Sequence, residues 1–379
     1  MNRAPDSAGP RIVPFLCKWG GGFVFSFVFI WVVAFFFTDM PFGMSWDQGA
    51  KKYTAKAGDV ARWRSEGWGT TTAGPCGVKG RSTLPPQAAE KIAIWGDSHV
   101  EALQVNDRDT MGNVLTGLFQ AGSMDVYGLN IGDSGLSAAD YYYNLAEFER
   151  CVPNVRLHVI LVCDMGDVSP GEQKAVHAQF LSEPEPHLSP PSYKPSQYQH
   201  LTEMSRKTGL FFLLRLVYEA VNQPLAFFPG TAAVPSGETD NRGGKAGKDT
   251  KKETVPEDGG EELRRALAFL LRQLDSQADA PLAVVYCPHI PYLWEGAMVL
   301  EEAKAAQIAV LEQECRAAGI DFLDLRPVFV REYQENGVLP RGFPNSFPGR
   351  GHLNKAGHGL VARAIFDHLM ESGHVFRQH

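Results

Sequence analysis

Residues 91–99 read KIAIWGDSH. A short run of β formers ends at Gly96, where a tight turn follows, and Ser98 stands where a helix would begin. Backbone N–H groups at a helix start lack internal partners and point toward developing negative charge. That suits both an attacking serine and the stabilisation of an oxyanion. Taken alone, Gly96–His99 serves equally well as an ordinary strand-to-helix turn capped by Asp97 or Ser98.

Outward from this stretch, strands and helices alternate. Residues 110–121 carry Met111, Val114, Leu115, Leu118 and Phe119 at helical spacing. A strand is expected at 124–132, a helix with a tyrosine cluster at 137–148, and an apolar strand at 157–163. After an interruption come helices at 209–221 and 261–276 and a strand at 281–287. A helix at 297–318, a strand at 320–325 and a closing helix at 355–370 complete the pattern. Parallel strands need crossover connections, so this alternation predicts an α/β fold with a five-stranded parallel sheet covered on both faces. Ligands of such sheets bind at the carboxyl ends of the strands. Ser98 lies at one of those ends.

Far downstream, residues 349–358 read GRGHLNKAGH. His352 precedes a helix whose apolar positions Leu360, Val361, Ala364, Ile365 and Leu369 must pack on the sheet. That packing would hold the imidazole near the strand ends, where it can take and return the serine proton. His358 falls inside the helix and reads as structural.

GDSH after a strand and GHLNKAGH before the last helix resemble the first and last sequence blocks of the SGNH (GDSL-type) hydrolases. Asn130–Gly135 is similar to the family's glycine block, and Cys163–Val168 is similar to the block that usually reads Gly-Asn-Asp. The resemblance covers about residues 90–168 and 280–370. It implies a flavodoxin-like three-layer α/β/α domain over 91–372 and a serine esterase or acyl-transfer chemistry. Ser98 would be the nucleophile and His352 the base. Ser98, Gly135 and Asp167 would form the oxyanion hole. It implies an acyl ester of an envelope carbohydrate as substrate, with O-acyl transfer to an exported polysaccharide as the alternative. A non-catalytic glycan-binding protein on the same fold is the third reading.

Two positions depart from the family pattern. Asp167 replaces the oxyanion-hole Asn, and an ionised carboxylate there would repel the oxyanion. Gly349 replaces the Asp that stands three residues before the histidine. His352 is then oriented by a backbone carbonyl or by an acidic group from elsewhere. Asp97, His99 and His289 are further candidates for the substrate pocket, and Tyr141, Tyr142 and Tyr143 read as packing.

Residues 19–38 form an uncharged run, WGGGFVFSFVFIWVVAFFFT. At about 1.5 Å per helical residue it matches a bilayer core of about 30 Å. Arg3, Arg11 and Lys18 precede it. The positive-inside rule therefore predicts residues 1–18 in the cytoplasm and the rest outside a single-pass anchor; taken with the resemblance, this implies a bacterial inner-membrane protein with a periplasmic domain. Phe35–Phe37 stand where a cleaved signal peptide would carry small residues. Residues 39–90 read as an irregular linker. An insertion at about 168–262 contains 229–260, whose few large apolar residues predict disorder. Within that insertion, helix 209–221 reads as core or lid.

The chain has six cysteines. Cys163 and Cys287 sit in apolar runs and read as buried, while Cys76 and Cys151 are candidates for a disulfide. No Cys/His spacing indicates a metal, and no cofactor is expected. A net charge of −7 leaves no basic footprint for nucleic acid.

Overall fold

The computed structural model describes residues 12–47, 52–168, 179–181, 187–189, 204, 210–222 and 260–372. They fall into two units. One is drawn from Met1–Met40 and Gln197–Asn241, the other from Pro41–Ser196 and Arg242–His379.

The larger unit is built on five strands: β1 (Glu90–Gly96), β2 (Val126–Gly132), β3 (Val155–Val162), β4 (Leu282–Tyr286) and β5 (Asp321–Asp324). They pair in the order β5-β4-β3-β1-β2, and every pairing is parallel. The parallel sheet is the one the alternation predicts, and its order is that of the flavodoxin-like fold that the resemblance implies. The central strands β1 and β4 are buried along their whole length, as expected for a sheet covered on both faces.

In the smaller unit, α1 is Ile12–Phe37. In the larger one, α2 (Met111–Ala121) and α3 (Ala138–Cys151) follow β1 and β2. In the smaller unit lies α4 (Leu210–Asn222). The larger unit also holds α5 (Glu261–Gln277), α6 (Ala305–Ala318), α7 (Arg326–Asn336) and α8 (Lys355–Glu371). One face of the sheet is packed by α3, α5 and α6 through Leu145, Leu267, Leu271 and Leu311. The other is packed by α2, α7 and α8 through Leu115, Phe119, Phe329, Val361 and Ile365. Burying each such side chain is worth about 1.5–3 kcal/mol. The apolar stripe of α8 thus secures the loop that carries His352.

Two expectations are corrected. A helix over 297–318 begins only at Ala305, because a β-hairpin of Tyr292–Trp294 with Ala297–Val299 takes the first residues. Glu295 and Gly296 turn it, both at positive φ.

The second correction matters more. Residues 39–90 are not an irregular linker. Met44–Asp47 pairs with Lys52–Ala55, and Val60–Trp63 pairs with Gly69–Thr72. Phe42, Ala61, Ala73 and Leu103 form a small core under them. Thr72 N–H and Oγ donate to the Asp107 carboxylate at 2.8 and 2.6 Å. Lys79 N–H donates to Asn130 O at 2.9 Å. Cys76 and Cys151 are disulfide-bonded, tying this segment to the end of α3. Short strands with Gly and Trp between them look irregular in sequence, since their stability comes from docking and cross-linking rather than from periodicity.

The expected disorder of 229–260 falls, up to residue 259, outside the described residues. In the smaller unit α1 is a helix long and apolar enough to cross a membrane over Cys17–Phe37.

Candidate active site

Ser98 begins a single helical turn, Ser98–Glu101, immediately after β1. Asp97 caps it by accepting His99 N–H at 3.0 Å. The turn ends at Ala102 in the left-handed conformation, so it is shorter than the helix the sequence suggests. His352 lies 254 residues downstream, just before α8, whose N-cap Asn354 accepts from Ala356 N–H and Gly357 N–H. The fold brings the two together: His352 Nε2 is 2.9 Å from Ser98 Oγ.

A third side chain completes the chain of hydrogen bonds. Glu66 Oε2 lies 2.5 Å from His352 Nδ1, and Glu66 Oε1 accepts His352 N–H at 2.9 Å. Glu66 sits in the turn of the Val60–Trp63/Gly69–Thr72 hairpin. The turn is clamped by Asn345, whose Oδ1 accepts Gly67 N–H at 2.9 Å and whose Nδ2 donates to Arg64 O and Gly67 O. Asn345 belongs to the loop that leads to His352, so acid and base are stitched to one another beyond their own contact. Thr71 Oγ anchors the same hairpin to Ala102 O, on the segment that follows Ser98.

Two glycines make room for this. Gly349 has φ +79, and a side chain there would press on the Tyr292 backbone. An Asp three residues before the histidine would therefore be strained. Gly351 has φ +81, and a Cβ would run into the Glu66 carboxylate. The loop has no acid three residues before His352, and Gly351 leaves space for the Glu66 carboxylate.

His99 is corrected from pocket residue to internal support. It is buried, with Leu353 N–H donating to its Nδ1 and Arg341 Nη1 3.2 Å from its Nε2. A neutral imidazole accepts at one ring nitrogen only, and with a donor beside each nitrogen a second ring proton, the imidazolium, is disfavoured. Burial, with Arg341 and His352 alongside, puts it well below the ordinary imidazole range. His358 is also buried, pushed down to about 3 chiefly by burial.

Arg341, which the sequence does not single out, is almost fully buried behind His352. It donates to Pro288 O at 2.8 Å, Gly351 O at 3.1 Å and Cys287 O at 3.2 Å. One guanidinium thus joins the end of β4, the histidine loop and His99. Replacing Arg341 with Met leaves those carbonyls unpartnered, each at a cost of about 1–3 kcal/mol. We expect kcat of any ester hydrolysis to fall about tenfold or more, with KM for a small ester unchanged. Arg341→Lys should recover only part, since an ammonium cannot reproduce the planar fork. Equal loss in KM and kcat would count against this.

Asp167 is corrected from donor to cap. Its Oδ2 accepts Asp164 N–H at 3.1 Å in a reciprocal capping box. That oxygen of the carboxylate faces a backbone donor. Gly135 lies in the loop after β2 at φ +86. Among the described residues neither Ser98 N–H nor Gly135 N–H donates to a protein acceptor. The neighbouring Ser134 is held by Glu101, which accepts from its N–H at 3.1 Å and its Oγ at 2.5 Å.

Glu101 is buried, and that burial, reinforced by Asp133, raises its pKa from 4.5 to about 7. Between those values the folded protein holds a proton that the unfolded chain has released. This group's contribution to stability therefore falls as pH rises through that window. Glu101→Gln should raise Tm at pH 8 and leave it nearly unchanged at pH 4, as read by thermal unfolding. A variant less stable than the parent at pH 8 would contradict this.

His289 stands beyond β4 with half its side chain exposed, 3.9 Å from Asp164. Tyr141 is buried against Trp95, which is packing. Asp97, His99 and Cys163 bring potential metal-ligand atoms within 4.8 Å of one another. Donors already face both His99 nitrogens, so this is not an open ligand set.

No family model matches the chain, and no curated protein matches it. Solved structures do. An acetylxylan esterase from Geobacillus stearothermophilus, in a catalytic mutant form, aligns at 14% identity and TM-score 0.38 over 78% of this chain and 100% of that one. A lipase/acylhydrolase from Enterococcus faecalis aligns at 12% and 0.38 over 76% and 98%. The acetyl xylan esterase AlAXEase aligns at 11% and 0.37 over 74% and 99%. At such scores the likeness lends no weight to a shared activity, and the chemistry must come from this chain's own side chains.

Proposed function

We propose that this chain is a serine acyl-ester hydrolase of the SGNH type, anchored to a membrane by α1. The observation that carries the proposal is the Glu66–His352–Ser98 chain of hydrogen bonds at the carboxyl end of β1. Glu66 accepts from Nδ1–H and fixes the tautomer in which Nε2 is the acceptor. Nε2 then takes the Ser98 proton as Oγ attacks the acyl carbonyl. The resulting imidazolium, paired with the Glu66 carboxylate, protonates the departing alcohol. Water activated by the same imidazole attacks the acyl-serine and releases the acid. Ser98 N–H and Gly135 N–H are the oxyanion donors in this reading. The family's third donor has no counterpart at Asp167. Loss of one donor is worth about 10²–10³ in rate, so turnover should be modest.

In the same reading the catalytic unit is periplasmic, since basic residues precede α1, and its substrate is an O-acetylated envelope glycan. The test is acetate release from acetylated oligosaccharides and from p-nitrophenyl acetate. A hydrolase releases acetate from both. Should p-nitrophenol release accelerate on adding unacetylated oligosaccharide, with acetylated sugar appearing, the enzyme is a transferase. Release from neither substrate would overturn the proposal.

A further inference from the structure

We propose that Arg350 sets the substrate specificity of this site by binding an anionic group, a uronic carboxylate or a phosphate, on the glycan that carries the ester. The inference rests on the reading of the chain as a glycan ester hydrolase and names the class of sugar it accepts.

Arg350 stands two residues before His352, so by chain length alone their Cα atoms lie within about 7 Å of each other. An ester whose carbonyl sits at Ser98 Oγ therefore has this cation within the span of a short oligosaccharide. The Arg350 side chain turns to the hairpin of Tyr292–Trp294 with Ala297–Val299, which follows β4 at the carboxyl edge of the sheet. Its guanidinium carbon lies over the Trp294 ring, 4.2 Å from the centroid, and 5.3 Å from the centroid of Tyr292. Ring faces attract the charge but accept none of the five N–H groups in a conventional hydrogen bond. Among the described residues no carboxylate or carbonyl takes them either. Other cations of this region are partnered. Lys304 pairs with Asp164 at 3.1 Å, and Arg341 donates to three backbone carbonyls.

Packing alone does not account for the charge. The hairpin and the histidine loop already meet at Gly349, where a Cβ would come 3.1 Å from Tyr292 Cα. An apolar side chain at position 350 would cover the two rings as well. A guanidinium instead offers a planar fork that matches carboxylate and phosphate oxygens two at a time. The rings restrain that fork in advance, so less side-chain freedom is lost when an anion binds. Arg350 is half-buried, which leaves part of it open to a ligand. A neutral sugar gains nothing from the charge, whereas an acidic one gains hydrogen bonds to a charged donor.

The test is calorimetric titration of the full chain in detergent with two matched pairs of ligands. One pair is trigalacturonic acid and its neutral methyl ester; the other is maltotriose 6-phosphate and maltotriose. We expect the acidic member of at least one pair to bind about tenfold more tightly than its match, the scale of one hydrogen bond to a charged group. Which pair responds tells a carboxylate site from a phosphate site. Raising the salt from about 0.01 M to about 1 M shortens the Debye length from about 30 Å to about 3 Å and should shrink the preference. Arg350→Gln should erase it, and Arg350→Lys should keep part of it, because the charge survives and the fork does not. No preference in either pair, a preference indifferent to salt, or one that persists in Arg350→Gln would overturn the inference. The same preparation is assayed with p-nitrophenyl acetate. Ester hydrolysis without a preference for acid strikes the inference alone, whereas a preference without hydrolysis strikes the hydrolase reading and leaves an acidic-glycan site.

Discussion

Ser98→Ala should abolish hydrolysis of p-nitrophenyl acetate, lowering kcat/KM at least 10³-fold, roughly the scale set by removing a hydrolase nucleophile. The substitution deletes one oxygen from a partly exposed turn capped by Asp97. The fold should be untouched, and Tm should move by no more than about a degree or two. Ser98 Oγ has His352 Nε2 at 2.9 Å as its proton acceptor. Without the hydroxyl, what remains is an oxyanion site and a base with nothing to activate but water. Parent-level activity in the Ala variant would mean that another group does the chemistry.

Glu66→Gln should cost nearly as much, about 10³–10⁴ in kcat, with KM little changed. An amide at this position keeps the size of the side chain and can still accept His352 N–H. Turned that way, it presents an NH2 group to Nδ1 and favours the tautomer with hydrogen on Nε2, facing Ser98 the wrong way. The same logic governs the loss when the carboxylate of a Ser-His-Asp triad becomes an amide. Glu66→Asp should retain more activity than Gln, since the charge is kept although the reach is shorter. Wild-type kinetics in Glu66→Gln would show that His352 is oriented by its loop alone.

These two residues also mark what can be read from the sequence. The five strands, Ser98 and His352 are legible because they sit at strand and helix boundaries with local signatures: apolar strand, glycine turn, amphipathic closing helix. The tie between Cys76 and Cys151 is legible as a candidate for a related reason, since both lie in loop-like sequence. Glu66 is not. Its role depends on a hairpin of two four-residue strands docked onto Ala102 and clamped by Asn345, contacts that span 31 and 278 residues. The available hint is negative. Gly349 leaves the histidine without its local acid, which leaves a backbone carbonyl or an acid from elsewhere to orient it. Runs 60–63 and 69–72 with a glycine-containing turn between them give a hairpin signal, but its docking partner leaves no trace in the pattern. His99 and Arg341 fail for another reason. A histidine beside a nucleophile looks chemical, and only the burial of its ring between two donors reveals a support. Asp167 likewise looks like a disabled donor until its carboxylate is seen capping Asp164.

The central claim, that Glu66 and His352 make Ser98 a nucleophile, is tested most directly by mass spectrometry after treatment with a fluorophosphonate probe. The account predicts one covalent adduct, on the peptide carrying Ser98, formed at neutral pH and lost in His352→Ala. A folded protein left unmodified at Ser98, or an adduct that forms equally fast without His352, would contradict it.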